Sequence, residues 1–424
     1  MTRVVITGIG AVTPVGGDAE SSWEALKAGR SGVGPITTFD ASTYPVRIAG
    51  MVDDDGLEER LPDPREVRHL SRSGRFGLAA GLEAFRNSGL ERGLYPAHEC
   101  GIAMGGSVGR PDLQFFSDVM DLRRETGGRG ILRQAPAQVL RTSQSTASAA
   151  LAAHTGCEGP MIAISTACTA SAHAFGEALR RIQDGEVRMM LAGGADALTS
   201  WLDVMGFILL GALTSEYNDD PEHASRPFDS ARSGFVLGEG AVVAVLEELE
   251  SARERGATIL AELAGYGASL NAYRMTDPPP DGSGPAIAMR MALKESGLRA
   301  DEVDYVVAHG TGTPSGDKSE TLAIKGAFGD DAQRLAVSSP KSMTGHATAG
   351  AGGISLLAAT MAMRDGVVSP TVNLDDPDPE LDLDFVPNEA REVDVRAAMV
   401  NAFAFGGTNA SVLVRRPDVA GVTG

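Results

Sequence analysis

Short apolar runs rich in valine, isoleucine and leucine recur along the chain and end at glycine-rich turns. They predict strands over Val4–Thr7, Gly101–Met104, Met161–Ile164, Met189–Leu191, Val242–Leu246, Tyr305–Ala308, Leu335–Val337 and Ser411–Val414. Segments with helical spacing lie between them: Phe76–Ser88, Cys168–Gln183, Pro285–Ser296, Glu320–Phe328 and Gly353–Arg364. Such alternation predicts layered α/β structure. One unit occurs twice. Leu78–Leu90 reads as an amphipathic helix with a Ser-Gly-Leu stop, and the strand after it ends at Met104-Gly-Gly. Ile287–Leu298 repeats the helix and the stop, and its strand ends at Ala308-His-Gly. Two similar halves packed side by side would bring their strand tips to one site.

The joint falls near Leu249–Leu260, and no low-complexity linker marks it. The expectation is one compact body with an N-terminal half over 1–255, a C-terminal half over 256–416 and a tail over 417–424. With 424 residues, 43% apolar and 22% charged, the chain is that of a globular protein with a large core. No run of eighteen apolar residues exists, so no membrane-spanning helix is expected. The N-terminus reads as a buried strand and lacks the order of a signal peptide. Cys100, Cys157 and Cys168 form neither a metal spacing nor a disulfide framework, which points to a reducing, cytoplasmic compartment and no metal. A net charge of −19 argues against nucleic acid and anionic membranes as partners. The exception is a basic run, Arg65, Arg68, His69, Arg72 and Arg75. Alone it reads as a solvated helix face, and it would also suit an acidic partner.

Cys168 stands where an apolar run stops, at Ser165, and a small-residue helical pattern begins. Unpaired N–H groups and the helix dipole favour an anion at such a place. The thiolate is therefore expected to be favoured over the thiol. Aimed out of a sharp turn, it is a nucleophile.

Two of the seven histidines share that kind of setting. His309 opens His309-Gly-Thr-Gly-Thr-Pro-Ser-Gly-Asp317, followed by Lys318-Ser-Glu320, and His346 closes Lys341-Ser-Met-Thr-Gly-His346 ahead of a small-residue helix. His173, one to two turns into the helix after Cys168, is expected to be a packed hydrogen bonder, and His98, His154 and His223 have no motif around them. Two more segments stand out: Asn401–Asn409, read as a glycine-rich loop, and Ser225-Arg-Pro-Phe-Asp229 through Gly238-Glu-Gly240.

One thiolate and two imidazoles suit a specific reaction class. The sulfur accepts an acyl group as a thioester. The imidazoles donate hydrogen bonds to a second thioester carbonyl and stabilise an enolate formed there when a malonyl group loses CO2. The enolate then attacks the acyl-cysteine. The backbone N–H groups of Cys168 and Phe405 would form an oxyanion hole for that attack. Lys341 would set the charge around His346, and Glu320 would neutralise Lys341.

These segments resemble those of the β-ketoacyl synthases, the decarboxylating condensing enzymes of fatty-acid and polyketide assembly. Within that family the chain resembles the discrete elongating enzymes of the second fatty-acid synthase type. The resemblance runs from Val4-Val-Ile-Thr-Gly-Ile-Gly-Ala-Val-Thr-Pro14 through Thr-Ala-Cys168, His309-Gly-Thr-Gly-Thr and Lys341-Ser-Met-Thr-Gly-His346 to Phe405-Gly-Gly-Thr-Asn409. It implies a duplicated thiolase-like fold in five α-β-α-β-α layers, working as a dimer. It makes Cys168 the acyl nucleophile and gives decarboxylation to His309 and His346. Thr311 and Thr313 would contact a phosphopantetheine arm. Phe405 would gate an acyl pocket that Phe207 helps to line. Arg65, Arg68 and His69 would dock acyl carrier protein, itself acidic. No cofactor is implied beyond the phosphopantetheine of the carrier.

The chain departs from the family in places. Its gate reads Ala404-Phe-Gly-Gly407 where glycine usually comes first, and a Cβ there forbids some positive-φ geometries. Ser355 stands where many relatives carry a glutamate associated with an ion, Arg274 where histidine is frequent, and Glu216 in a loop where a carrier-binding arginine is common. The stretch from Arg141 to Ala150 is small and polar, and in the family it borders the dimer interface and acyl tunnel. These features tilt the reading toward specialised or polyketide metabolism, where the dimer partner can be a cysteine-less chain-length subunit. The alternative, that this chain is itself such a non-catalytic partner, runs against Cys168, His309 and His346 being present together. A thiolase would need a second catalytic cysteine in the C-terminal half. An initiating synthase would carry asparagine in place of His346.

Overall fold

The computed structural model describes residues 2–107, 113–129, 137–141 and 143–417. The expected tail thus lies outside the described residues from 418 on, as does Thr142 of the small polar stretch. Ten strands form one sheet: β1 (Val4–Val12), β2 (Cys100–Gly105), β3 (Met161–Ile164), β4 (Met189–Ala197), β5 (Glu239–Glu248), β6 (Ala261–Leu270), β7 (Tyr305–Val307), β8 (Ala336–Ser338), β9 (Ala397–Phe403) and β10 (Thr408–Arg415). From a central seam outward, the first half runs β1-β5-β4-β2-β3 and the second β6-β10-β9-β7-β8. In each half the first two pairings are antiparallel and the last two parallel. The helix-stop-strand repeat of the sequence is thus one piece of a duplicated topology.

Several strands are longer than the apolar pattern predicts, and β6 and β9 were not predicted at all. In β1 and β6 the reason is glycine. In β1 a Cβ on Gly10 would lie 2.1 Å from the carbonyl oxygen of Ala80, on the helix Arg72–Asn87 that packs across it. In β6 a Cβ on Gly267 would lie 2.0 Å from Ala288 O on the helix Ser283–Ser296. These glycines read as turn signals, yet they mark where a helix backbone presses onto a strand. The expected loop Asn401–Asn409 is likewise the end of β9, a tight turn and the start of β10.

Helices Ala170–Gln183 and Ala351–Asp365 share the central layer. Their apolar side chains, among them Phe175, Leu179, Ile354 and Leu357, join strand residues of both halves in one core. Every residue from 351 to 363 is buried, which small side chains make possible between the two halves of the sheet. Helices Arg72–Asn87 and Ser145–Thr155 cover the outer face of the first half. Ser283–Ser296 and Pro314–Phe328 cover that of the second. The result is the thiolase-like five-layer arrangement.

The seam is held by charge as well as by β1–β6 pairing. Glu262, buried on β6, receives Arg415 Nε at 3.0 Å and Arg3 Nε at 3.0 Å. Burial by itself would raise its pKa, but the two guanidinium groups outweigh burial and hold the carboxyl below its usual range. Its contribution to stability is therefore full above the ordinary carboxylate pKa and lost as pH falls through the folded value. Glu262→Ala leaves two cations without their anion and is expected to cost about 3–5 kcal/mol, read as a lower urea midpoint. A loss under about 1 kcal/mol would place this triad with ordinary surface pairs.

Candidate active site

Strand β3 ends at Ile164, and the chain turns sharply through Thr166 and Ala167. Ala167 has φ +50°, a strained value for a residue with a side chain, and the single turn Ala167–Thr169 then leads into the helix Ala170–Gln183. This aims Cys168 out of the turn, where it is 8% exposed. The expected thiolate is not the resting form. Burial pushes the thiol up to about 12, assisted by the negative charge of Asp196 and opposed by the positive charge of Lys341. Removal from water outweighs the favourable end of the helix.

His309 follows β7, and its loop is held from one helix. Glu320 accepts the N–H of His309 at 2.8 Å and that of Gly310 at 2.7 Å. Asp317, one turn earlier, accepts those of Thr311 at 3.0 Å and Gly312 at 3.2 Å. Both carboxylates sit in the first turns of Pro314–Phe328, which sets the loop rigidly. His346 follows the short helix Lys341–Thr344 and Gly345, whose φ is +65°. A Cβ on Gly345 would lie 2.7 Å from Leu237 O. That close approach lets His346 N donate to Val236 O at 2.8 Å and Gly238 N to His346 O at 3.0 Å. The segment singled out before Gly238-Glu-Gly240 is thus the frame of His346. Its companion Ser225–Asp229 is framework too: Phe228 N donates to Asp317 at 2.8 Å and Ser225 Oγ to Lys341 O at 2.7 Å.

The two imidazoles meet edge to face, 5.2 Å between centroids and 84° between planes. Phe235 packs on His346 at 5.4 Å and Phe403 on His309 at 5.6 Å. Burial and the positive charge of Lys341 hold both histidines well below the ordinary imidazole pKa, so each is neutral at physiological pH. A neutral imidazole donates one hydrogen bond without giving up a proton. Among the described residues Nδ1 of each ring is buried with no hydrogen-bond partner, so these rings are not tied into the framework as His173 is. His173 bonds Tyr266 OH and Thr408 Oγ1, the latter at 3.1 Å, which is the packed role expected of it.

Cys168, His309, His346, Thr311, Thr313 and Phe405 line a single cavity of about 240 Å³. The profile of the family "Beta-ketoacyl synthase, N-terminal domain" matches residues 1–252, and that of "Beta-ketoacyl synthase, C-terminal domain" matches 260–375. This chain belongs to the β-ketoacyl synthase family. It is 42% identical, over 98% of both chains, to 3-oxoacyl-[acyl-carrier-protein] synthase 2 of Synechocystis. It is 42% identical, over 98% of both chains, to the Vibrio harveyi protein of the same name. Among solved structures it is similar to a type II PKS acyl-carrier protein in complex with its ketosynthase bound to the hexaketide, with a TM-score of 0.88, 31% identity and coverage of 98% and 99% of the two chains. It is similar to the ishigamide ketosynthase/chain length factor at a TM-score of 0.88 and 33% identity, covering 98% of this chain and 99% of that one.

Several residues of this β-ketoacyl synthase stand elsewhere than expected. Glu320 spends its oxygens on the His309 loop and on Asn401 Nδ2, 3.1 Å away. Among the described residues no ion pair joins it to Lys341. The two act on each other through space. Burial raises the Glu320 pKa and lowers that of Lys341, and their mutual attraction opposes both shifts. Phe207 does not reach the cavity wall; it packs edge-on behind Phe235 at 5.6 Å. Of the basic run, Arg72 is drawn inward to buried Glu239, 2.6 Å away, and Arg75 pairs with Glu58 at 2.5 Å. Arg65 and Arg68 are exposed and His69 is half-buried, all off the cavity, and Arg65 pairs with Asp63 at 2.8 Å. The gate tolerates Ala404 because that residue keeps a negative φ, while Gly406 (φ +87°) and Gly407 (φ +77°) take the left-handed turn. Gly406 N donates to Met275 O at 2.7 Å, so the gate rests on the loop carrying Arg274. Asp196 and the role of Asn401 were missed. The available signal was a polar residue inside an otherwise apolar strand.

Proposed function

We propose that this chain elongates a carrier-bound acyl chain by decarboxylative Claisen condensation, with Cys168, His309 and His346 as its chemical residues. The observation that carries the reading is one cavity shared by a thiol and two neutral imidazoles. Cys168 sulfur attacks the acyl thioester, its proton leaves with the departing thiol, and an acyl-cysteine remains. A malonyl thioester enters next, its sulfur arm passing Thr311 and Thr313. Loss of CO2 leaves an enolate, whose oxygen accepts hydrogen bonds from the imidazoles. The enolate carbon attacks the acyl-cysteine, and the tetrahedral oxygen is stabilised by the backbone N–H groups of Cys168 and Phe405. Collapse expels the Cys168 sulfur and releases a β-ketoacyl thioester. The raised thiol pKa suits this cycle, since a sulfur kept protonated at rest resists stray oxidation, and the thiolate, once formed, is the stronger nucleophile. Lys341 supplies the positive charge that eases its formation. Neither a metal nor a cofactor enters these steps.

Acyl carrier protein is the proposed donor of both thioesters, docking at Arg65, Arg68 and His69. The two exposed guanidinium groups and the acidic character of such carriers support that surface. A two-chain assembly is supported by the sheet edge. Strand β3 ends the sheet unpaired with Met161 51% exposed, whereas the other edge, β8, is buried. The reading as a non-catalytic partner subunit is disfavoured by the complete Cys-His-His set. Incubation with an acyl carrier thioester, followed by intact and peptide mass spectrometry, tests the proposal. An acyl adduct on Cys168 that disappears on adding malonyl carrier thioester is expected. An adduct elsewhere, or none, refutes it.

A further inference from the structure

Asp196, the last residue but one of strand β4, lies inside the molecule, 3% exposed. Ser107 Oγ, just past the tip of β2, donates to its Oδ2 at 2.6 Å, and Thr348 Oγ1 donates to the same oxygen. Ala349 N donates to it at 3.2 Å, and Ala197 N donates to Oδ1 at 3.1 Å. Such a set of donors suits an ionised carboxylate, which only accepts. Thr348 is the unusual member. It is β-branched and has φ +43°, a conformation such a residue avoids.

The duplicated fold gives that strain a meaning. Thr348 opens the turn Thr348–Gly350 that leads into the central helix Ala351–Asp365. Ala167, with φ +50°, opens the turn Ala167–Thr169 that leads into the central helix Ala170–Gln183. The two strained residues hold equivalent places, and Ala349 stands where Cys168 stands in the first half. In one half the strained turn presents the sulfur. In the other, tied to Asp196, it comes two residues after His346.

We propose that Asp196 is a positioning residue for the condensation: it clasps the strained Thr348–Ala349 turn from the other half and so sets His346 against the Cys168 turn. The proposal rests on the roles given to Cys168 and His346 above. The charge of Asp196 also reaches the sulfur. Lys341 and Asp196 are the charged groups acting on Cys168, while His309 and His346 face it neutral. Asp317 and Glu320 act on Lys341.

Two substitutions separate shape from charge. Asp196→Asn keeps the shape and removes the charge, so alkylation of Cys168 by iodoacetamide at pH 8 is expected to accelerate roughly 3–10-fold, one pKa unit being tenfold in thiolate. Asp196→Ala removes the clasp, and CO2 release from malonyl carrier thioester is expected to fall on the order of 10-fold more than acylation of Cys168. Adding Thr348→Gly to the alanine variant relieves the strained φ and should restore part of that loss. A fall in CO2 release by Asp196→Ala no larger than its fall in acylation, or no rescue by Thr348→Gly, overturns the clasp. A wild-type enzyme that is acylated at a residue other than Cys168 overturns the site assignment instead, and the clasp falls with it.

Discussion

Cys168→Ala is expected to abolish carbon–carbon bond formation while leaving malonyl decarboxylation in place. Among the described residues the sulfur is the only group lining the cavity that can carry the growing chain as a thioester. Its removal is expected to cost on the order of 10⁶-fold in turnover, the scale seen when a covalent nucleophile is deleted. Decarboxylation calls on the imidazoles, and these keep their frame in the variant. His309 is held by Glu320 and His346 by Val236 and Gly238, none of which touches the thiol. The fold should survive as well, because alanine keeps the Cβ at a position 8% exposed. Thermal unfolding, CO2 release and product formation measured side by side test this. Product formation at wild-type rate would refute the nucleophile, and loss of all three together would make Cys168 a structural residue.

His309→Ala and His346→Ala should divide the half-reactions the other way. Each removes one donor to the enolate oxygen, a loss worth about 2.7–4 kcal/mol, or roughly 10²–10³-fold in decarboxylation. Acylation of Cys168 uses neither donor directly and should fall much less. Neutral imidazoles also set a pH dependence. Both rings are held well below the ordinary imidazole pKa by burial and by Lys341. Lowering the pH toward 6.5 should therefore leave the imidazole donors unprotonated, and NMR of histidine-labelled enzyme should find their titration well below that value. Equal loss of both half-reactions in the alanine variants would mean the rings mainly build the cavity. A titration at the ordinary value would show that their burial is not maintained in solution.

Much of the site was legible because its signals are local. A thiol at a strand-to-helix turn and histidines in Gly/Thr loops after buried strands are patterns a few residues long. The repeated helix, Ser-Gly-Leu stop and strand likewise announced a duplication that the sheet order carries through. What failed to show locally was close packing between distant segments. Gly10 and Gly267 look like turn residues in a one-dimensional reading. Only the helices crossing them explain why no side chain can be present. Phe207 looks like a pocket residue until Phe235 is seen in front of it. Arg72 looks like part of an exposed basic face until it meets Glu239, far along the chain.

By itself the sequence determined the inventory: one thiol, two imidazoles, a lysine and the carboxylates of Asp317 and Glu320, each in a turn or at a helix start whose shape its neighbours dictate. The tertiary structure alone decided their chemical states. A thiol pushed up to about 12, imidazoles kept neutral, a Glu320 devoted to a loop and an Asp196 tied to a strained threonine all follow from burial and from charges brought together by the fold. The physical reason is range. Backbone turns answer to adjacent residues, whereas the cost of removing a charge from water, and the field of another charge beside it, depend on groups contributed by both halves of the chain.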